Sequence, residues 1–273
     1  MVVCGDQRVL YLAGWGRSGS TLAEGLLNRL PDLVGVGEVM FLWERGLIQN
    51  RRCSCGAALR QCDFWSAVLR EAFGALPDDA TAAGAIGEAR VVVDSSKFPS
   101  YLAALLHTPD LDVRVAHIVR DPRAVAYSWQ RDKEDPDAPG DARMPKLHPG
   151  ATAAYWSVWN LATERLARRA GVPYLRFRYE DLVGDPDGTL AALGRLAGVP
   201  APAEPIGAGG EVVLDRGHQV SGNPVRFRTG TIPLQLDDEW RTEMAAVDRR
   251  IAAAVSGPLL SRYGYRRRSS DTM

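Results

Sequence analysis

The chain has 273 residues, enough for one large α/β domain with an ample core and too few for two full ones. Lys plus Arg and Asp plus Glu both number 33, so net charge gives no ground for a nucleic-acid or acidic-membrane partner, and any anion site has to be local. Neither a long apolar run nor a basic start followed by an apolar core is present, which predicts no membrane span, no secretory signal and a cytoplasmic location.

In chain order, strands are expected at 8–13, 33–36, 90–94, 113–119 and 172–177, each followed by a turn and a helix-like segment. That alternation predicts an α/β fold: a single domain over 1–273 with a central parallel sheet flanked by helices. In such sheets ligands bind beyond the carboxyl ends of the strands, where Gly14–Thr21, Asp94–Lys97, Arg120–Arg123 and Tyr179–Asp181 all fall. The stretch 132–149 is polar and proline-rich and reads as a mobile surface loop, and 266–273 reads as a frayed tail.

The first junction, Gly14-Trp15-Gly16-Arg17-Ser18-Gly19-Ser20-Thr21, is a glycine-rich strand-to-helix turn with a P-loop-like character. Its amides and the first turn of the helix over 20–30 can converge on an oxyanion, and Arg17 adds a planar, permanent charge. A nucleoside-triphosphate loop puts lysine where this chain has Ser20. The displacement of the cation points away from ATP and toward a phosphosulfate donor.

The second junction is Val119-Arg120-Asp121-Pro122-Arg123, with Ser128 further along the helix that Pro122 opens. An arginine fork and a hydroxyl can hold a phosphate monoester there. The alternative is a local Arg120–Asp121 ion pair with Ser128 on a solvated face. Together, Gly16–Leu22 and Val119–Arg123 with Ser128 resemble the two donor-binding signatures of sulfotransferases that use 3′-phosphoadenosine 5′-phosphosulfate (PAPS). The resemblance runs from Arg8 to about Trp240, with tyrosylprotein-sulfotransferase-like donor motifs, and includes Tyr179-Glu180-Asp181-Leu182 followed by Asp185-Pro186.

The resemblance implies that Gly16, Arg17, Ser18, Gly19, Ser20 and Thr21 hold the 5′-phosphosulfate, with Arg17 facing the transferring group, while Arg120 and Ser128 hold the 3′-phosphate. It implies donor contacts at Tyr179 and, from the late basic stretch 215–230, at Arg226 and Arg228, whose spacing would put both on one side of an extended segment. Asp94-Ser95-Ser96-Lys97 has two readings: Asp94 as the metal-binding carboxylate of a kinase, or, as the resemblance implies, Lys97 as neutraliser of charge on the leaving oxygen. Asp94 would then cap the next helix or orient Lys97.

Glu38 stands at the start of the next helix-like stretch, where the tyrosylprotein branch of the family has a catalytic base; the alternative is a helix-terminus carboxylate. His107, His117, His148 and His218 compete for the role, with His117 inside a strand and His148 and His218 in loops able to close over a substrate. The expected reaction moves a sulfuryl group from PAPS to a hydroxyl of a small-molecule, sugar or lipid-linked acceptor, releasing adenosine 3′,5′-bisphosphate (PAP). The other readings are a P-loop kinase and a non-catalytic nucleotide-binding module. Cys53, Cys55 and Cys62 lack the paired spacing of a structural zinc site, with Cys4 remote, so no metal is expected and packing or a redox-sensitive loop is preferred. Trp156 and Trp159 read as core more than as an acceptor stack.

Overall fold

The computed structural model describes residues 7–73, 90–135, 142–202, 205 and 210–265. Strands β1 (Gln7–Ala13), β2 (Leu33–Gly37), β3 (Val91–Lys97), β4 (Leu111–Val119) and β5 (Tyr174–Arg178) form a sheet in the order β2-β3-β1-β4-β5. All four pairings are parallel. The helices are α1 (Ser20–Leu27), α2 (Asp63–Phe73), α3 (Pro99–Leu106), α4 (Pro122–Gln130), α5 (Pro149–Ala170), α6 (Tyr179–Gly184), α7 (Pro186–Ala197), α8 (Trp240–Glu243), α9 (Ala246–Val255) and α10 (Gly257–Arg262).

β1 is the middle strand, and its apolar run follows from burial on both faces. Leu10 and Leu12 join Leu26 and Leu27 of α1 and Leu190 and Leu193 of α7 on one side. Tyr11 and Ala13 join Leu102 of α3 and Ala167 of α5 on the other, as the two-residue period of a strand requires. Each fully buried leucine contributes roughly 1.5–3 kcal/mol. Helix starts are locally encoded: Asp121 caps α4 by accepting from the Arg123 amide at 2.9 Å, Asp185 caps α7 by accepting from the Gly188 amide at 3.0 Å, and a proline opens each.

The connection from β3 to β4 crosses β1, so the loop after β1 and the turn after β4 meet where strand order reverses. That is the position at which open parallel sheets bind ligands.

Several expectations change. β3 extends through Lys97, so Asp94–Lys97 forms the strand end itself, with a register slip between Tyr11 and Ala13 on its neighbour. The sequence pattern over 237–255 is helix-like, but the helix breaks at Met244 and Ala245, whose backbones are extended, because Trp240 and Met244 pack into a separate apolar cluster with Ala124 and Ala126. The flanks of 132–149 are paired: Glu134 bridges Arg143, Met144 donates its amide to the Lys133 carbonyl at 2.8 Å, and Asp132 pairs with Arg143 and Lys146. Residues 136–141, the 266–273 tail and Cys4 lie outside the described residues.

An antiparallel pair escaped the sequence reading, namely β6 (Glu211–Leu214) with β7 (Gly230–Pro233). It closes 215–229 into an excursion that returns to the main sheet, where Val220 bridges Gly37.

Candidate active site

The loop after β1 is shaped by close approaches. Gly14 has φ +145, and a Cβ there would lie 2.4 Å from the Ile118 carbonyl oxygen; Gly19 has φ +97, and its Cβ would lie 2.5 Å from the Tyr179 ring. Arg17, which is not glycine, also adopts a left-handed φ of 71°. Such a conformation costs roughly 1–2 kcal/mol and concentrates at functional sites. The Arg17 guanidinium lies 5.2 Å from the Trp129 ring centre and 2.9 Å from the Met144 sulfur, and burial lowers its pKa. Ser18 is buried at the base of the loop with its hydroxyl unpartnered.

Arg120 follows β4 and is 5 % exposed. Its guanidinium stacks 4.5 Å from the Tyr179 ring centre and donates to the Asp237 carbonyl at 2.7 Å, with the Asp237 carboxylate 3.2 Å away. Its Nε is buried and has no partner. Ser128, also buried, accepts from Lys133 at 3.3 Å. Burial pushes the Lys133 pKa down to about 8, and the charges of Arg17, Arg131 and Arg120 add to the shift. Cations crowded this closely against a desolvated lysine make a site that favours an anion.

Tyr179 acts as a shelf beneath Gly19 and Arg120. The next residue, Glu180, accepts from the Asp121 amide at 3.2 Å and from the Tyr265 hydroxyl at 2.8 Å. The Tyr-Glu-Asp segment thus supports both turns from behind.

Glu38 directly follows β2 and pairs with Lys97 at the end of β3, both side chains mostly buried. Lys97 also has a left-handed φ, 67°, and donates to the Ser95 carbonyl at 2.8 Å. The pair uses Glu38 Oε1, and a Cβ on Gly222 would lie 3.4 Å from the same oxygen and 3.7 Å from the Thr21 hydroxyl. Glu38, Lys97, Thr21 and the 215–229 excursion therefore meet beside the β1 loop. Behind them lies Glu24, fully enclosed in α1, which accepts from the Gly37 amide and the Ser95 hydroxyl, both at 2.6 Å. Burial pushes Glu24 up to about 7.

Asp94 does not present an open metal-binding carboxylate. It accepts from the Ser96 amide at 2.8 Å and the Ser96 hydroxyl at 2.5 Å and is pushed up to about 6 by burial. Nor does it cap α3, whose N-cap is Phe98.

The two late arginines separate. Pro224–Phe227 is a 3₁₀ turn packed against α1 and not an extended segment, so a spacing of two no longer puts them on one side. Arg226 is buried, donating to the Gly222 carbonyl at 2.8 Å, whereas Arg228 is exposed. Among the histidines, His117 is buried between Tyr174 and Asn160, each 2.8 Å away, and burial lowers its pKa to about 4. His148 caps α5 through the Gly150 amide, His107 ends α3 on the surface, and His218 lies among the cysteines.

Sequence reasoning missed Lys133, hidden in a charged run five residues beyond Ser128, and Glu24, which looked like one more helix residue. It also missed an aromatic row. Trp15 stacks on Trp129 at 5.8 Å and on Tyr155 at 5.3 Å and meets Trp159 edge-on at 4.8 Å; Phe98 joins Trp159 at 5.7 Å and Phe41 at 5.8 Å. Trp156 is core, as expected, and its indole N–H donates to the Arg120 carbonyl at 3.1 Å.

Two turns lined by cationic side chains thus meet at the switch point of a five-stranded parallel sheet. Residues 10–203 match the model of the Sulfotransferase family, and the chain belongs to that family. Human carbohydrate sulfotransferase 2 is 27% identical, the match covering 68% of this chain and 52% of the relative, so the chain spans about half the length of that curated relative. The sulfotransferase domain of the Synechococcus PCC 7002 olefin synthase superposes with TM-score 0.55 at 22% identity, covering 92% of this chain and 94% of that one. A mouse sulfotransferase complexed with PAP superposes with TM-score 0.50 at 13% identity, covering 95% and 91%. The shared fold is that of the sulfotransferases, a P-loop-like nucleotide-binding architecture.

Proposed function

We propose that the protein transfers a sulfuryl group from PAPS to an acceptor hydroxyl, with PAP as the second product. The observation that carries this reading is the pair of adjacent anion turns, one around Arg17 and one around Arg120, Ser128 and Lys133, which suits a nucleotide phosphorylated at both ends. A triphosphate would need only the first. The unpartnered Arg120 Nε and Ser18 hydroxyl are polar atoms that a phosphate or sulfate oxygen would satisfy. The nucleotide complexed with the mouse sulfotransferase, PAP, has this same two-ended chemistry.

In this reading the Gly16–Thr21 amides and Arg17 bind the 5′ end, and Arg120, Ser128 and Lys133 bind the 3′-phosphate. Arg226 closes the site from the 215–229 excursion. Glu38 accepts the acceptor's proton through Oε2, the oxygen that Lys97 leaves open, and Lys97 stabilises charge on the leaving oxygen. The acceptor hydroxyl attacks sulfur, the bond from sulfur to the phosphate oxygen breaks, and the electron pair leaves with PAP. The aromatic row beside Arg17 supplies flat apolar faces suited to the C–H face of a sugar or another ring-bearing alcohol. Unpaired thiols in the described residues accord with a cytoplasmic location.

The experiment is transfer from [³⁵S]PAPS to a panel of sugar, phenolic and lipid-linked alcohols, without magnesium. Labelled product from wild type and a loss of about 10²–10⁴-fold in Glu38→Gln at nearly unchanged PAP affinity support the assignment. Turnover only with ATP and magnesium would favour the kinase reading, and tight PAP binding with no product across the panel would favour a binding module.

A further inference from the structure

Behind β2, three cysteines and a histidine converge. Residues 52–58 fold back on themselves, with Arg52 bridging Ala58, the Cys53 amide donating to the Ala57 carbonyl and the Gly56 amide to the Cys53 carbonyl, each at 2.9 Å. Gly56, at φ +96, allows this tight return after Cys55. Cys62 sits just before α2, its carbonyl accepting from the Ser66 amide at 2.8 Å. His218 comes from the 215–229 excursion. Its carbonyl accepts from the Trp65 indole at 2.7 Å, and its ring stacks on Phe64 at 4.9 Å and 11°.

The His218 Nδ1 lies 3.3 Å from the Cys62 sulfur and 3.9 Å from the Cys53 sulfur, and the Cys55 and Cys62 sulfurs are 3.7 Å apart. All four ligand atoms lie within 4.8 Å of one another. A tetrahedral ion with metal–sulfur bonds of about 2.3 Å and a metal–nitrogen bond of about 2.0 Å sets ligand-to-ligand edges of roughly 3.5–3.8 Å. Free-thiol contacts of this length are also far from a disulfide's bond of about 2.05 Å.

We infer that Cys53, Cys55, Cys62 and His218 Nδ1 bind one structural zinc ion. Three thiolates and one imidazole form a closed tetrahedral set with no open position for substrate, which makes the ion structural. Spacing along the chain hid the site because its fourth ligand is 156 residues from Cys62. The ion ties the 215–229 excursion to the 53–62 turn beside backbone bonds already there: Ser54 to the Gln219 carbonyl at 3.1 Å, and the Gln219 amide to the Ser54 hydroxyl at 2.8 Å. The next residue, Val220, is bonded to both Val36 and Glu38. Zinc therefore fixes the segment against which Glu38 rests, and His218 is a ligand and not a candidate base.

The test reads metal and thiols, so it is independent of the sulfuryl-transfer reading. Wild type purified from zinc-supplemented culture is expected to carry about one zinc per chain by inductively coupled plasma mass spectrometry, with X-ray absorption showing three sulfur ligands and one nitrogen ligand. His218→Ala and Cys62→Ser should lose it, and His218→Cys should retain it. On wild type alone, chelation should speed alkylation of Cys53, Cys55 and Cys62 at least tenfold and lower the melting temperature. Less than about a tenth of an equivalent after zinc reconstitution of the reduced protein, iron in place of zinc, a disulfide among the three cysteines, or zinc unchanged in His218→Ala would each overturn the inference.

Discussion

Lys133 shows how a single residue reports on the site. Its amine is held down to about 8 by burial and by Arg17, Arg131 and Arg120, so in the free protein it loses its proton as pH rises through 8. A bound 3′-phosphate stabilises the ammonium form and raises that pKa, so binding takes up a proton near pH 8 and weakens as pH rises further. Calorimetry of PAP in buffers of different ionisation enthalpy should detect this uptake at pH 8 and its absence in Lys133→Met. A pH-independent affinity between 7 and 9.5 would remove Lys133 from the phosphate site. Arg17, strained and half-buried between Trp129 and Met144, has a larger expected effect: Arg17→Ala should lower kcat/KM by at least 10²-fold in the [³⁵S]PAPS assay, and retention within about tenfold would contradict its role.

At the level of elements, the β1 loop depends on Gly19, where a Cβ would meet both a left-handed φ and the Tyr179 ring. Gly19→Ala should therefore weaken PAP by at least tenfold and lower stability by roughly 1–3 kcal/mol, measured by calorimetry and urea unfolding. An unchanged PAP affinity would mean that the loop does not shape the donor site. The five strands and the helix that Pro122 opens were legible in the sequence because they rest on local signals, apolar runs and a proline, whereas the caps at Asp121 and Asp185 emerged with the structure. What was hidden depends on contacts distant in sequence. The β6–β7 pair is short and mixed in polarity, and the fold of 132–149 rests on Asp132, Met144 and backbone pairs that composition does not reveal. Both follow the pattern seen at the site, where Arg17 and Arg120 were named from strand-end motifs and Glu38 and Lys97 from the family resemblance, but the Glu38–Lys97 pairing and the burial of Arg226 away from Arg228 came from tertiary packing.

Across the whole molecule, two buried carboxylates set a pH dependence of stability. Glu24 and Asp94 are pushed up to about 7 and about 6 by burial, so the folded state holds protons that the unfolded chain releases at lower pH. Between roughly pH 4 and 7 the native state binds more protons than the unfolded state, and stability falls as pH rises. Glu24→Gln keeps an acceptor for Gly37 and replaces the other oxygen with an amide beside the Ser95 hydroxyl, so it should flatten that fall. Urea midpoints at pH 5 and 8 compare the two, and an equal slope in both proteins would exclude Glu24 as its source.

The most direct measurement for the central claim is calorimetric titration with PAP, 5′-AMP and ADP, with and without magnesium, on wild type and Arg120→Ala. Two anion turns at the β1–β4 switch point predict that wild type binds PAP at least tenfold more tightly than 5′-AMP or ADP, without magnesium, and that Arg120→Ala loses most of that preference while 5′-AMP binding changes little. Equal affinity for PAP and 5′-AMP, or ADP with magnesium bound more tightly than PAP, would contradict the account.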